Sequence, residues 1–259
     1  MIRGLLEKLS RGRLLHRALP PEFGGARVLV SPDSRLSYWI PGLRRTSPEL
    51  FRWCAEFVEA GSTVWDVGAN LGLFSYAAAF RAGATGSVVA VEPDSFLAGI
   101  VRRNARALDR RYAPIDVREM AMSSDVGRGE LVIATRGRES NHLLNVGGST
   151  QSGGARETQT VEVGTLDRLY DELGAPDLVK LDAEGAEHLI LEGGRRLLES
   201  ARPLLLIEVS GIRGSRVGEQ LAAAGYRMFD ADARAPGRVE QEIPAYNTLA
   251  VPTEGVSIR

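Results

Sequence analysis

The chain is expected to fold as an α/β protein, a mostly parallel sheet with helices on both faces and an antiparallel strand at one end. Three observations carry this. Short β-branched, apolar runs alternate with segments of helical periodicity through most of the chain. One such run, containing Val64, Trp65 and Val67, breaks into the small-residue turn Gly68-Ala69-Asn70-Leu71-Gly72, and a helical pattern starts at Leu73. Two strand-like segments, 226–230 and 247–252, follow the last helical segment, which suits an antiparallel end better than an all-parallel sheet.

From the N-terminus, MIRGLLEKLSRGRLLHRALP is basic and amphipathic, with Glu7, Lys8, Arg11 and Arg13 interrupting any signal-peptide core. It reads as a docked surface helix in preference to a membrane-surface or partner helix. Residues 27–40 read as a hairpin: Val28, Leu29 and Val30, a turn at Pro32-Asp33-Ser34, then Leu36, Tyr38 and Ile40 in alternation. In 47–61, Ser47 is a candidate N-cap, Pro48 suits the first helical position and Gly61 closes the helix; Leu50, Trp53, Cys54 and Phe57 recur at helical spacing. Residues 1–60 are therefore expected to be an extension of basic helix, hairpin and amphipathic helix, forming a lid or flank on a domain spanning 61–259.

Beyond the turn, VVAVEPD (88–94) is a buried-looking strand ending in Glu92. A helix is expected from 95 to about 108, and IDVREMAMSS supplies a third strand. GELVIAT and TQTVEVGTL read as an antiparallel pair joined by a long loop with five glycines. Loops of that length are usually functional covers or disordered segments, so 136–159 is expected to be a mobile flap near the substrate, with plain disorder as the alternative. The βα rhythm resumes with DLVKLDAEG as strand, AEHLILEGGRRLLES as a helix broken at Gly193-Gly194, RPLLLIEVS as strand and RVGEQLAAAG as helix.

Composition narrows the possibilities. With 259 residues, 44% hydrophobic and 25% charged, the chain can bury a substantial core, and the length suits one large domain with an extension. Lys and Arg number 32 against 33 Asp and Glu, so no bulk field calls for nucleic acid. The single cysteine, Cys54, cannot form an internal disulfide, which suits a reducing, cytoplasmic setting; on the apolar face of a helix it reads as a packed core thiol. No apolar run reaches the ~18 residues of a membrane span. A homo-oligomer stays open.

The turn is where a nucleotide-type ligand is expected. Gly68 and Gly72 let the backbone approach it, the free N–H groups of the following helix face it, and Asp66 ends the strand at the carboxyl edge of the sheet. The series D-x-G-A-N-x-G puts Asn70 where the dinucleotide fingerprint wants a glycine, which weakens a dehydrogenase reading. Glu92, 20 residues after Gly72, is placed to accept both hydroxyls of a ribose. Ala121 and Met122 reach an adenine edge or simply fill core.

TVWDVGANLGLFS, VVAVEPD, REMAMSSDVG, TLDRL, KLDAEGAEHLILEGG, LLLIEV and NTLAVP, taken in order over about 62–252, resemble the FkbM-like branch of the class I S-adenosylmethionine-dependent methyltransferases; KLDAEGAE is the most family-specific part. The resemblance implies a Rossmann-like sheet of seven strands, S-adenosylmethionine as cofactor, and usually O-methylation of a small molecule such as a natural product, sugar or glycolipid. It puts Asp66, Gly68, Asn70, Gly72, Glu92 and Asp182 at cofactor-facing positions, with Ala69 and Pro93 beside them.

An acceptor hydroxyl must lose its proton during or before transfer, so a base or metal is expected nearby. Asp182 and Glu208 end the fourth and fifth strands, with Glu184 and Glu187 one turn further on. A carboxylate base is the simpler option; a divalent metal on Asp182 and Glu208 is possible but not favoured. His142 in the flap and His188 beside the acids are further candidate bases. Against a nucleic-acid amino methyltransferase, the fourth strand ends in Leu-Asp-Ala-Glu-Gly and not a Pro-Pro-aromatic motif. An NAD-dependent oxidoreductase and a non-catalytic binding module are the competing readings.

Overall fold

The computed structural model describes residues 2–144, 146, 153–209 and 214–253. The N-terminal region forms α1 (Ile2–Ser10), the antiparallel pair β1 (Leu15–Ala18) and β2 (Arg27–Val30), and the helices α2 (Leu43–Thr46) and α3 (Pro48–Phe57). The hairpin expected over 27–40 is not formed. β2 pairs with β1, Leu15 opposite Val30, and Leu36–Trp39 winds into a single 3-10 turn. The reason lies far away in sequence: Asp33 is held by Arg138 and Arg156, and Ser34 by Asn70. These partners draw the turn away from hairpin geometry. In α3, Ser47 precedes Pro48 but makes no side-chain cap, and the helix ends at Phe57, capped by Val58 rather than closed at Gly61. Cys54 is fully buried with Sγ 3.6 Å from the Phe74 carbonyl oxygen, a core thiol as expected.

The central sheet is built from β3 (Thr63–Val67), β4 (Ser87–Val91) and β5 (Ile115–Arg118), with α4 (Leu73–Ala82) and α5 (Ser95–Ala107) between them. After β5 the chain leaves the sheet. Residues expected to complete the third strand instead form β6 (Ala121–Met122), which joins β7 (Gly127–Ala134), β8 (His142–Leu143) and β9 (Ala155–Gly164) in a separate sheet of order β6-β9-β7-β8. β7 and β9 are the expected antiparallel pair. Ala121 belongs with Leu131, Ile133, Val161 and Val163 in a small core of this insertion, which is what pulls it from β5. Part of the expected flap, 145 and 147–152, lies outside the described residues. The remainder is structured: Arg138–Ser140 forms a helical turn and β8 pairs with β7.

The chain returns through α6 (Leu166–Leu173), β10 (Leu178–Leu181), α7 (Glu187–Glu192), β11 (Leu204–Glu208), α8 (Gly214–Ala223), β12 (Tyr226–Asp230), β13 (Glu240–Gln241) and β14 (Asn247–Pro252). The sheet order is β13-β12-β14-β11-β10-β3-β4-β5. Within this sheet β3, β4, β5, β10 and β11 are parallel, and β14 runs antiparallel between β11 and β12. The two-residue β13 makes eight strands where seven were expected; it extends the edge beyond β12. The helix after β10 breaks at Gly193, where a Cβ would strike the Ser123 carbonyl oxygen.

Alternation along the strands sorts the core into two layers. Val64, Ala90, Leu178, Leu206 and Leu249 face α4, α5 and the N-terminal region; Trp65, Val67, Val91, Leu181 and Ile207 face α6, α7 and α8. α4 reads LFSYAAAFRA, apolar on nearly every side, and it is buried almost throughout because the N-terminal region covers its outer face. No helix among the described residues is long and apolar enough to cross a membrane.

Candidate active site

Parallel pairing of β3 with β4, Val67 opposite Val91, puts the tips carrying Asp66 and Glu92 side by side at the carboxyl edge. The turn after β3 is tied to that edge: the Gly68 and Ala69 N–H groups both donate to the Val91 carbonyl oxygen, each at 3.0 Å. Gly68 has φ +76°, and a Cβ there would collide with the Asp182 carbonyl oxygen at the tip of β10; only glycine meets both demands. Asn70 holds φ +52°. Its N–H donates to Glu92 Oε2 at 2.7 Å, and its Oδ1 accepts from Ser34 Oγ at 2.7 Å.

Glu92 is the chemical centre of this edge. Its carboxylate also accepts from the Asp94 N–H at 2.9 Å, yet burial outweighs these bonds and pushes its pKa up to about 8. It lies on the wall of a cleft lined by the turn, the β4 tip, β6, the 138–143 segment and the loop after β10. The cleft opens beside a wide trough, and Gly68, Asn70, Glu139, Asp182 and Glu184 border both.

The trough floor is acidic. Lys180, the penultimate residue of β10, is buried, with Nζ 3.3 Å from both Asp66 Oδ1 and Asp182 Oδ2. Burial would discharge this ammonium, but Asp182, Asp66 and Glu208 outweigh it and hold it charged. One cation facing so many acids leaves the acids strained. Burial, then Asp182, raises Glu208 to about 7, against the hydrogen bond from the Tyr246 hydroxyl and the charge of Lys180. Burial, then Asp182 and Glu208, raises Glu184 to about 8. A carboxyl that titrates near neutrality is suited to accept and release a proton. The far wall of the trough comes from the N-terminal region: Arg35, Tyr38, Arg44 and much of α3.

A second charged cluster clamps the other side of the turn. Arg138 donates through Nε to Asp33 Oδ2 at 3.0 Å and through Nη1 to Asp94 Oδ2 at 2.5 Å, and its guanidinium covers the Phe96 ring at 4.7 Å. Arg156 donates to Asp33 Oδ1 at 2.8 Å and Asn141 to Asp94 Oδ2 at 2.8 Å. Although burial raises Asp33, the hydrogen bonds and charges of Arg156 and Arg138 prevail and lower it. Asp94 also caps α5.

The expected cofactor residues divide in three. Gly68, Asn70, Glu92, Pro93, Ala121, Met122 and Asp182 line the cleft; Ala69 lines the trough; Asp66 and Gly72 line neither. Asp66 is fully buried under the turn, where Oδ2 accepts from Ser75 Oγ at 2.6 Å, and Gly72 opens α4 with φ +76°. Of the candidate bases, Asp182 and Glu208 border the trough. His142 does not sit in a swinging flap above it: β8 pairing fixes it on the cleft wall, with Nδ1 3.1 Å from the Ser140 carbonyl oxygen. His188 is buried on α7, whose backbone there accepts from Gln220 of α8, and it borders neither cavity. Glu187 caps its own loop, accepting from the Ala183 and Gly185 N–H groups. Sequence reasoning missed Lys180, Tyr246 and the Arg138 clamp. Among the described residues no group of three or more His, Cys, Asp or Glu is placed to hold a metal ion.

The family described as Methyltransferase FkbM domain matches residues 66–241. Among solved structures, methyltransferase FkbM from Methylobacillus flagellatus KT is 14% identical, with 78% of this chain covering 50% of that one at a TM-score of 0.45. Magnesium protoporphyrin IX methyltransferase from Synechocystis PCC 6803, solved with bound SAM, is 14% identical over 82% of this chain and 80% of that one, TM-score 0.45. Aeropyrum pernix fibrillarin, solved with natively bound S-adenosyl-L-methionine, is 13% identical over 75% and 68%, TM-score 0.42. No curated protein matches the chain.

Proposed function

The chain belongs to the FkbM methyltransferase family, and from that premise we propose that it transfers the methyl group of S-adenosylmethionine to a hydroxyl oxygen of a small molecule: a natural product, sugar or glycolipid. One observation carries the proposal. A buried carboxylate, Glu92, stands at the tip of β4 beside a glycine turn, in a cleft that opens onto a trough floored by proton-accepting acids. An adenosyl ligand fits the residues present. Glu92 would accept the ribose hydroxyls, Pro93, Ala121 and Met122 would flank the adenine, and Gly68, Asn70 and Asp182 would border the amino-acid end. Asp66 would act from beneath, holding Ser75 and Lys180 in place.

When bound, the cofactor supplies an electrophilic methyl group whose leaving group is a neutral thioether. The chain's own residues then have to align the acceptor and take its proton. Glu208 is the group best suited to take it, at Oε2, because Oε1 already accepts from the Tyr246 hydroxyl. Asp182, 3.3 Å from Lys180, lies beside Glu208. The N-terminal region would set which acceptors enter, since it forms the far wall of the trough.

Titration with S-adenosylhomocysteine tests the cofactor assignment, and assay of a hydroxyl-bearing panel with radiolabelled donor tests the acceptor class. Stabilisation by S-adenosylhomocysteine and not by NAD is the expected result; stabilisation by NAD alone would replace this reading with an oxidoreductase.

A further inference from the structure

α1 sits on the protein the wrong way round for a helix that merely completes a core. Its less exposed side chains are polar, Glu7 and Ser10, while Leu5 and Leu9 are 60% and 52% exposed and Leu6 lies beside them. The docking contact is itself polar: Trp39 Nε1 donates to Ser10 Oγ at 2.8 Å. That bond brings the 3-10 turn against the helix end, so that Trp39 and Ile40, 39% and 62% exposed, continue the apolar surface begun by the leucines. An outward stripe of leucine ending in tryptophan and isoleucine is a surface made to be covered.

The charge around it selects the cover. Residues 1–45 contain nine Lys and Arg against three Asp and Glu, a net of +6 in a chain whose total is −1. The three acids are all engaged: Glu7 by Arg3, Glu22 by Arg44, and Asp33 by Arg138 and Arg156 from the insertion. Lys8, Arg11, Arg13 and Arg45 have no acidic partner within 4 Å among the described residues. Exposed apolar side chains in a stretch this rich in unneutralised cations match the boundary between acyl chains and anionic headgroups. The same stretch reaches the trough, because Arg35, Tyr38 and Arg44 line it on either side of Trp39 and Ile40.

We propose that this face docks on an anionic lipid bilayer and holds the mouth of the trough to hydroxyls carried by membrane-resident molecules. The docking stands on the surface alone; the acceptor class rests on the methyl transfer proposed above.

Sedimentation of the full chain with vesicles separates the outcomes. Vesicles of phosphatidylcholine with phosphatidylglycerol should carry the protein down, vesicles of phosphatidylcholine alone should carry little, and added salt should weaken the binding. The triple variant Leu5→Glu/Leu9→Glu/Ile40→Glu should lose about tenfold or more in partitioning, whereas Val126→Glu, at an equally exposed site on the insertion, should lose none. S-adenosylhomocysteine should bind wild type and both variants alike. Equal vesicle binding by the triple variant, or none by wild type, overturns the docking. So does a dimer that the triple variant abolishes without any vesicle binding, which would give the face to a second copy. Vesicle binding without S-adenosylhomocysteine binding would keep the docking and remove the methyltransferase reading.

Discussion

Two clusters of buried charge flank the Gly68–Gly72 turn, and they are built on opposite principles. In the clamp, the buried Asp33 and Asp94 face Arg138 and Arg156 through directed hydrogen bonds, with the exposed Glu157 at 3.6 Å and 3.9 Å from the two guanidiniums. Their charges are satisfied, and the carboxyl of Asp33 is driven lower. On the trough floor one ammonium, Lys180, faces Asp66, Asp182 and Glu208, and Glu208 and the neighbouring Glu184 are lifted towards neutrality. Balanced buried charge fixes geometry; unbalanced buried charge keeps protons in play. The clamp holds three regions in place, the N-terminal turn, the start of α5 and the insertion, so that the floor can stay electrostatically strained.

If that contrast is right, its two halves should fail differently. Glu208→Gln should lower kcat by about 10²–10⁴-fold with S-adenosylhomocysteine affinity unchanged, and it should flatten a wild-type profile in which kcat rises with pH through about 7. Arg138→Ala should leave Asp94 buried without a cation and Asp33 with Arg156 alone, and cost about 3–5 kcal/mol in denaturant unfolding. Glu92→Gln should weaken S-adenosylhomocysteine about 10–100-fold, the loss of hydrogen bonds to a charged acceptor, measured by calorimetry.

A subtler consequence follows from pH. Glu92 and Glu184 bind protons more tightly folded, at about 8, than at their ordinary 4.5. The stability they confer is present below the ordinary value and is lost as pH rises through about 8, so the ligand-free protein should melt at lower temperature as pH climbs through this window. Ribose hydroxyls favour the ionised form of Glu92, so S-adenosylhomocysteine affinity should rise over the same range. His142→Ala should have the smallest effect, a few-fold loss of cofactor affinity with turnover little changed, because His142 lines the cleft and not the trough.

The sheet was legible in the sequence because each βα unit announces itself locally. Val64 to Leu73 switches from a period of two to one of 3.6 across a glycine turn, and β10, β11 and β14 repeat the apolar run. The cleft followed from those strand ends. What was not legible joins residues far apart. Nothing near Asp33 shows that Arg138, over a hundred positions on, will take it out of a hairpin. Ala121 follows β5 directly, yet it belongs to the insertion because Val163 is its partner. His188 reads as one of an acidic group, but it is buried on α7 and borders neither cavity. One missed residue had left a signal: a lysine inside the apolar run LVKL must be buried, and a buried lysine needs acids around it. That rule alone would have tied Lys180 to Asp66 and Asp182.

Calorimetric titration of S-adenosylhomocysteine into wild type and Glu92→Gln at about pH 8 addresses the cleft most directly. One site in wild type, weakened about 10–100-fold in the variant, is the result expected if Glu92 grips the ribose. Equal affinity in the two proteins, or no binding in either, would contradict it.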